Sequence, residues 1–440
     1  MNWENLISDK RLGLEEFHDK NSQMRSVFQR DFDRMVFSSP FRRLQNKTQV
    51  FPLPGSVFVH NRLTHSLEVS TVGRSMSREV LHRIITRNLF PSQTHILEHI
   101  PDIVATACLC HDLGNPPFGH SGEKTISTWF SEGPGRDLKS EVSERQWADL
   151  INFEGNANSF RLLTHQFVGR RKGGFAMTYS TLGTLVKYPW TSQHAGDKGK
   201  FGFFESEEGL YRKVADWLGI PELNTGVFAR HPLVYLMEAA DDICYQIMDI
   251  EDAHKLGILS LSEAFEYLLA FFQKDKRDKL LRGTGYLDDP NEKIGYLRSN
   301  VIGEMVANCA DAFLEYIDPI MNGEKVSPLV ELMPDPQKLA YRECSNLAYN
   351  RIYCAPDVVD VDLAGGRIIN YLLDVLMEAV LNPEKNYSML LLTKMPKQYD
   401  INAPTIYGKI QAVLDHISGM TDVYALDLFR KLNGHSLPAV

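Results

Sequence analysis

The stretch "DIVATACLCHDLGNPPFGHSGE", Asp102 to Glu123, decides how the chain folds. Its first half is apolar at nearly every position and closes on His111-Asp112, Gly114 and the Pro116-Pro117 pair. This reads as a helix with Gly114 as the residue just past its end and two prolines blocking continuation. His111 and Asp112 then fall in its last turn. Adjacent helical side chains diverge by about 100°, yet both reach an ion lying between them near a fraying end. His120 and Glu123 follow the prolines, three residues apart and therefore on one face of any helix that begins there. Imidazoles and carboxylates in this density bind metals and move protons.

Helical periodicity dominates outward from that stretch. In "THSLEVSTVGRSMSREVLHRII" the residues Leu67, Val69, Val72, Met76, Val80 and Ile84 lie near a 3.6-residue repeat. Similar patterns occupy 231–255, 291–317, 365–381 and 404–419. Alternating patterns are scarce, and "QVFPLPGSVFVH" (49–60) is the best hairpin candidate, with Pro-Gly at its turn. The stretches 131–146 and 189–209, rich in Gly, Ser and charge, read as exposed loops of an insertion. The expected class is mainly α: a helical core with a small β-hairpin, inserted loops and a C-terminal helical region. The boundaries expected are 1–60 as an N-terminal segment packing on the active site, 61–255 as the core domain with inserted helices and loops at about 131–230, and 256–440 as the C-terminal helices.

Composition bounds the function. With 440 residues, 43% hydrophobic and 23% charged, the chain is that of a globular protein with a large core. No apolar run approaches the roughly 18 residues of a membrane span, and no basic segment leads into an apolar one at the start; a cytoplasmic location is expected. Six cysteines without a CxxC pair read as reduced thiols. Cys108 and Cys110 point to opposite sides of a helix, which disfavours a zinc pair. A net charge of −9 excludes a surface built wholly for nucleic acid, so any phosphate partner is met by local basic residues.

Two further groups join His111 and Asp112. His65 starts its helix in "HNRLTHSLEV", and Asp241-Asp242 sits inside the apolar "YLMEAADDICYQIM". A carboxylate pair in such surroundings must be paired, protonated or bound to a cation. Two imidazoles and two carboxylates suit a divalent ion with positions left open for water and substrate.

The set "RSVFQRDFDRMVFSSPFRRLQNKTQVFPL", "HNRLTHSLEV", "HDLGNPPFGHSGE", "YSTLGTLVKYP", "MEAADDICY" and "ISGMTDVYALDLF" resembles the HD-domain deoxyguanosinetriphosphate triphosphohydrolase (dGTPase) family, in family order from about residue 25 to 430. The resemblance implies an HD-domain core and hydrolysis of a deoxynucleoside triphosphate at the α-phosphorus, releasing deoxynucleoside and triphosphate. It implies metal ligands His65, His111, Asp112 and Asp241, with Asp242 outside the ligand set, and an ion among Mn²⁺, Mg²⁺, Co²⁺, Fe²⁺, Ni²⁺ and Zn²⁺. His120, oriented by Glu123, is the expected proton-transfer group. Arg62, Arg43 and Lys187 are the expected phosphate contacts, within a basic set that also holds Arg42 and Lys47. Tyr245, four residues after Asp241, is expected against the deoxyribose, Gln49 at the 3′-hydroxyl, and Tyr188 and Asn156 nearby. A homo-oligomer is implied, a hexamer before a tetramer, and single-stranded DNA is a further implied partner. Two alternatives stay open: a nucleotide-activated enzyme accepting all four dNTPs, and a regulatory HD protein that binds single-stranded nucleic acid.

Overall fold

The computed structural model describes residues 1–16, 24–51 and 59–435, and within these the chain is helical almost throughout. At its centre lies helix Ile100–Cys110, buried along its whole length except at Asp102. A helix apolar on every side has to be enclosed on every side. Helices Val27–Val36, Arg62–Thr86, Tyr179–Leu185 and Val234–Lys255 enclose it, and Pro290–Glu315 closes over the second and fourth of these.

Helix Arg62–Thr86 starts at a reciprocal cap: the Thr64 N–H donates to the Asn61 side chain and the Asn61 N–H to the Thr64 hydroxyl, both at 3.0 Å. Val69, Val72, Met76, Val80 and Ile84 line its buried face as the periodicity predicts. Leu67 does not; it is 42% exposed. Ser66, Ser70 and Ser77 occupy the inner face instead, and the Ser70 hydroxyl donates to the Ala105 carbonyl at 2.8 Å. Small side chains, with the Ser70 and Ser77 hydroxyls bonded to backbone carbonyls, let the two helices lie close.

A second apolar core forms beside the first. Ile126, Trp129 and Phe130 of helix Gly119–Ser131 meet Leu150, Phe201 and Phe204 and the inner faces of helices Pro356–Leu381 and Ile406–Ser418. The C-terminal helices therefore divide: residues up to Val358 join the central core and most of those from Ile368 join the second, while Tyr399 and Ala412 pack with Phe167. Trp3, Leu6, Phe28, Met35, Phe41 and Leu44 bring the N-terminal segment into the central core.

Four local expectations change. The hairpin described pairs Glu222–Asn224 with Val227–Phe228; of the stretch read as a hairpin, 52–58 lie outside the described residues, and an isolated bridge joins Thr48 to Asn61 on its flanks. Gly114 is not a left-handed cap residue, since its φ is not positive; it is needed because a Cβ there would stand 2.2 Å from the Ser159 nitrogen. Within 131–146, residues Pro134–Glu141 form a 3₁₀ helix and a Ser143-capped helix starts at Glu144. Within 189–209, Phe201, Phe203 and Phe204 are buried and anchor the segment.

One buried ion network ties these parts together. Arg161 donates to both Asp415 oxygens, at 2.9 and 2.8 Å, and to Glu207 at 2.6 Å. All three side chains are at most 6% exposed. Removing one partner leaves a desolvated charge unanswered, which costs about 3–5 kcal/mol. Asp415→Ala is therefore expected to lower unfolding stability by about that amount, read from urea titration followed by circular dichroism; a loss under about 1 kcal/mol would contradict this account of the network.

Candidate active site

Three side chains from three helices converge. His65 stands in the first turn of Arg62–Thr86, His111 at the end of Ile100–Cys110, and Asp241 in the second turn of Val234–Lys255. Their ligand atoms all lie within 4.8 Å of one another. Asp241 Oδ1 is 3.1 Å from His65 Nε2 and 3.4 Å from His111 Nε2. Donors about 2.1 Å from one ion stand roughly 3.0–3.4 Å apart at octahedral to tetrahedral angles, so these spacings fit a shared cation.

The environment of His111 supports the same fit. Its Nδ1 is 2.6 Å from the Cys108 carbonyl, which as an acceptor places the proton on Nδ1. Nε2 is buried and has no hydrogen-bond partner. Once a cation displaces its second proton, an imidazole so fixed turns the Nε2 lone pair to the site. Burial would lower the His111 pKa, but Asp112 and Asp241 raise it to about 9; burial would raise that of Asp241, but the two histidines and Lys187 hold it well below the usual carboxylate range. The cluster is electrostatically arranged for positive charge.

Asp112 lies beside the trio, its Oδ2 3.6 Å from His111 Nε2. Its oxygens are engaged by Arg62 Nη1 at 2.5 Å and by the Asn115 amide at 2.6 Å. Burial would raise its pKa, while Arg62 and His111 keep it ionised. Asp242 is not in the cluster; burial, then Glu238 and Asp241, push its carboxyl up against the opposing pull of Lys187.

His120 and Glu123 form the expected pair, Nδ1 to Oε2 at 3.0 Å. The backbone just before them is unusual: Phe118 and Gly119 both have left-handed φ, 62° and 57°. At Gly119 a Cβ would come within 2.4 Å of Arg62 Nη2, so a larger residue would strain the left-handed backbone and push the guanidinium aside. His120 is 66% exposed and Glu123 9%. Glu123 Oε1 accepts the Gly155 N–H at 3.0 Å. Lys200 lies 3.7 Å from Glu123 and 2.6 Å from Glu154, and Asn156 donates to Glu154 at 2.5 Å. Glu123, beginning with its own charge, raises the His120 pKa.

On the Asp241 helix, Tyr245 and Asp249 follow at intervals of four, all on one face. The Tyr245 ring lies edge-on to His65, centroids 6.4 Å apart. Tyr353 packs on Tyr245 at 5.9 Å and donates to Asp249 at 2.7 Å. Tyr353 directly follows a π-helical turn, Ala348–Ile352, a distortion that recurs at functional sites. Asp249 and Tyr353 were missed by sequence reasoning, although the spacing pointed to Asp249. Lys200 and Glu154 were missed too; the aromatic run beside Lys200 was the one sign that its loop is anchored.

The remaining expected residues separate. Gln49 follows the Thr48–Asn61 bridge at the start of the His65 helix, its Oε1 buried and unpaired. Lys187 Nζ is 3.7 Å from Glu238 and 5.7 Å from the centre of the Tyr188 ring. The expected basic set does not act together: Arg42 is exposed, Lys47 is 2% exposed with its ammonium on the Asn115 and Ser418 carbonyls, and Arg43 lines a different cleft.

His60 holds the ligand helices in register, with Nε2 3.1 Å from Glu68 and Nδ1 2.8 Å from Asp252. Burial would lower its pKa, but the two carboxylates raise it to about 10 from 6.5. A folded-state pKa above the unfolded one means that this stabilisation is complete below about pH 6.5 and is lost as pH rises through about 10. The melting temperature should fall across that window, and His60→Gln should flatten the slope; equal slopes in both proteins would contradict it. Separately, His111→Ala is expected to weaken Mn²⁺ binding at least 100-fold by calorimetry, and unchanged affinity would place the ion elsewhere.

Residues 62–153 match the HD domain family model, and 332–431 match that of the phosphohydrolase-associated domain. The first match spans His65, His111, Asp112, His120 and Glu123; Asp241 lies beyond it. Among similar proteins, the deoxyguanosinetriphosphate triphosphohydrolase-like protein of Pseudomonas aeruginosa (strain LESB58) is 38% identical over the whole of both chains. That of Synechocystis sp. is 38% identical over 99% of this chain and all of its own. The deoxyguanosinetriphosphate triphosphohydrolase of Yersinia enterocolitica is 31% identical over 92% of this chain and 93% of its own. With HD-domain motifs, helical core and full-length likeness in agreement, the chain belongs to the HD-domain family of deoxyguanosinetriphosphate triphosphohydrolases and triphosphohydrolase-like proteins.

Proposed function

We propose that the protein is a metal-dependent hydrolase that splits dGTP into deoxyguanosine and inorganic triphosphate. The observation that carries this reading is the convergence of His65, His111 and Asp241 within 4.8 Å in a family whose named members are triphosphohydrolases. Asp112 completes the donor set in this reading. A divalent ion held there supplies an acidified water and polarises a phosphoryl oxygen.

The chain's own residues do the rest. Arg62, between Asp112 and the His120 turn, and Lys187 and Lys200 meet the phosphate charge. Water oxygen bonds to the α-phosphorus as the bond from phosphorus to the sugar 5′ oxygen breaks, and that oxygen leaves with the bonding pair. His120 hands it a proton from Nε2, because Nδ1 is taken by Glu123. The Tyr245 and Tyr353 rings wall off the sugar where a 2′-hydroxyl would project, and Asp249 and Gln49 lie within reach of the 3′-hydroxyl. No residue singles out guanine, so the four dNTPs are compared in one assay.

Metal-loaded protein incubated with each dNTP and with GTP should release triphosphate from dGTP, little from GTP, and no pyrophosphate. Release of phosphate or pyrophosphate instead would sink the reading, while equal turnover of all dNTPs would select the broad-specificity alternative. His120→Ala is expected to lower kcat by about 10²–10⁴ while Mn²⁺ affinity stays within twofold. A loss of metal together with rate would make His120 a ligand, not a proton donor.

A further inference from the structure

The sequence block "ISGMTDVYALDLF", residues 417–429, has no part in the chemistry described so far. Most of it has an ordinary account. Ile417, Met420, Ala425 and Leu428 enter the second core, and Thr421 caps helix Asp422–Leu432, its hydroxyl accepting the Tyr424 N–H at 3.1 Å. Asp422 is what this account leaves over. It is the first residue of that helix and is 7% exposed. A first-turn carboxylate favours its own helix through the macrodipole, but that role needs no burial. Instead Oδ1 accepts the Phe118 N–H at 3.0 Å and Oδ2 the Thr48 N–H at 2.7 Å, from backbone groups 304 and 374 residues away.

Both partners matter by their position. Phe118 carries the left-handed φ of 62° that opens the His120 turn, a conformation unfavourable to a residue with a side chain and kept only where the surroundings over-determine it. Two contacts do so. Asp422 takes the Phe118 N–H, and the Phe118 ring lies on Gly365 of helix Pro356–Leu381, where a Cβ would stand 2.5 Å from the ring Cγ. Thr48 pairs with Asn61, which caps the His65 helix, and the Arg62 N–H at the head of that helix donates to the Lys47 carbonyl at 3.2 Å. One buried carboxylate, through two charge-assisted bonds, thus ties the segment that presents His120 to the segment from which the His65 helix begins.

We propose that Asp422 is a positioning residue for proton transfer: by holding the Phe118 and Thr48 amides together it sets the His120 turn relative to the His65 helix. The assignment rests on the hydrolytic reading, in which His120 supplies the proton to the leaving oxygen. Asp422 acts through the backbone alone. Each of its oxygens is taken by an amide, so it passes no proton itself and touches neither nucleotide nor metal.

Asp422→Asn keeps the shape and one acceptor but sets an amide NH₂ against the second backbone donor. In the full chain it is expected to lower kcat for triphosphate release by about 10–100-fold, the scale of a slightly misplaced reacting group, with Mn²⁺ affinity unchanged by calorimetry. In a His120→Ala background the same substitution should alter kcat by less than about twofold, because the two residues act as one unit. Gly365→Ala displaces the Phe118 ring while favouring its own helix, and should show the same dependence on His120 if Asp422→Asn fails to fold. Equal loss of rate with and without His120 would make Asp422 merely structural and overturn the proposal, as would a wild-type kcat in Asp422→Asn. Hydrogen exchange reads the anchor without turnover: the Phe118 and Thr48 amides should exchange about tenfold faster in Asp422→Asn, and unchanged rates would also overturn it. A wild-type protein releasing no triphosphate would sink the hydrolytic reading by itself, and exchange would still decide the anchor.

Discussion

The constraint on which the structure turns is the meeting of two buried imidazoles and a half-buried carboxylate from three separate helices. Asp241 stands half-buried on a helix that packs into the central core, where a carboxylate shielded from most of the solvent calls for opposite charge. His65 and His111 answer it, and the packing around them exists in the form that lets them do so. The Asn61–Thr64 cap fixes where the His65 helix begins, the Cys108 carbonyl fixes the His111 tautomer, and His60 locks the His65 helix to Asp252 three turns beyond Asp241. These contacts are individually ordinary; together they leave the donor atoms little freedom.

Around that centre the groups fall into two electrostatic sets. On one side Arg62, Asp112 and Asn115 form a closed chain, extended through Lys47 to the C-terminal helices. On the other, His120, Glu123, Lys200 and Glu154 form a line from the exposed rim into the second core. The left-handed Phe118–Gly119 turn joins the two, because it lets Arg62 pass beneath the backbone that presents His120. The second core thus positions His120 and Glu123, and the first positions His65, His111 and Asp241. Glu123 ties the His120 turn to the insertion, since one of its oxygens meets His120 and the other receives the Gly155 N–H.

Much of this was legible in the sequence, for physical reasons. His111 and Asp112 stood at a helix end marked by prolines, Asp241 in an apolar repeat, and His120 and Glu123 at helical spacing; local pattern made them candidates, and the family resemblance gave them roles. Asp249 was equally readable at two turns past Asp241. Tyr353 and Lys200 were not, because more than a hundred residues and a tertiary contact separate Tyr353 from Tyr245, and Lys200 lies in a loop whose composition reads as solvated. The basic run from Arg42 to Lys47 misled in the opposite sense. Its members are close in sequence, but a short helix followed by a 3₁₀ turn sends one to solvent, one to backbone carbonyls and one to another cleft. Leu67 failed in the stripe because buried serines took the inner positions, a choice that hydrophobicity alone does not signal.

The most direct test of the central claim is anomalous diffraction from crystals grown with Mn²⁺, which locates the ion without reference to turnover. The account predicts one dominant peak about 2.0–2.3 Å from His65 Nε2, His111 Nε2 and an Asp241 oxygen together. A peak bound elsewhere, with the three side chains still bonded only to one another, would contradict it.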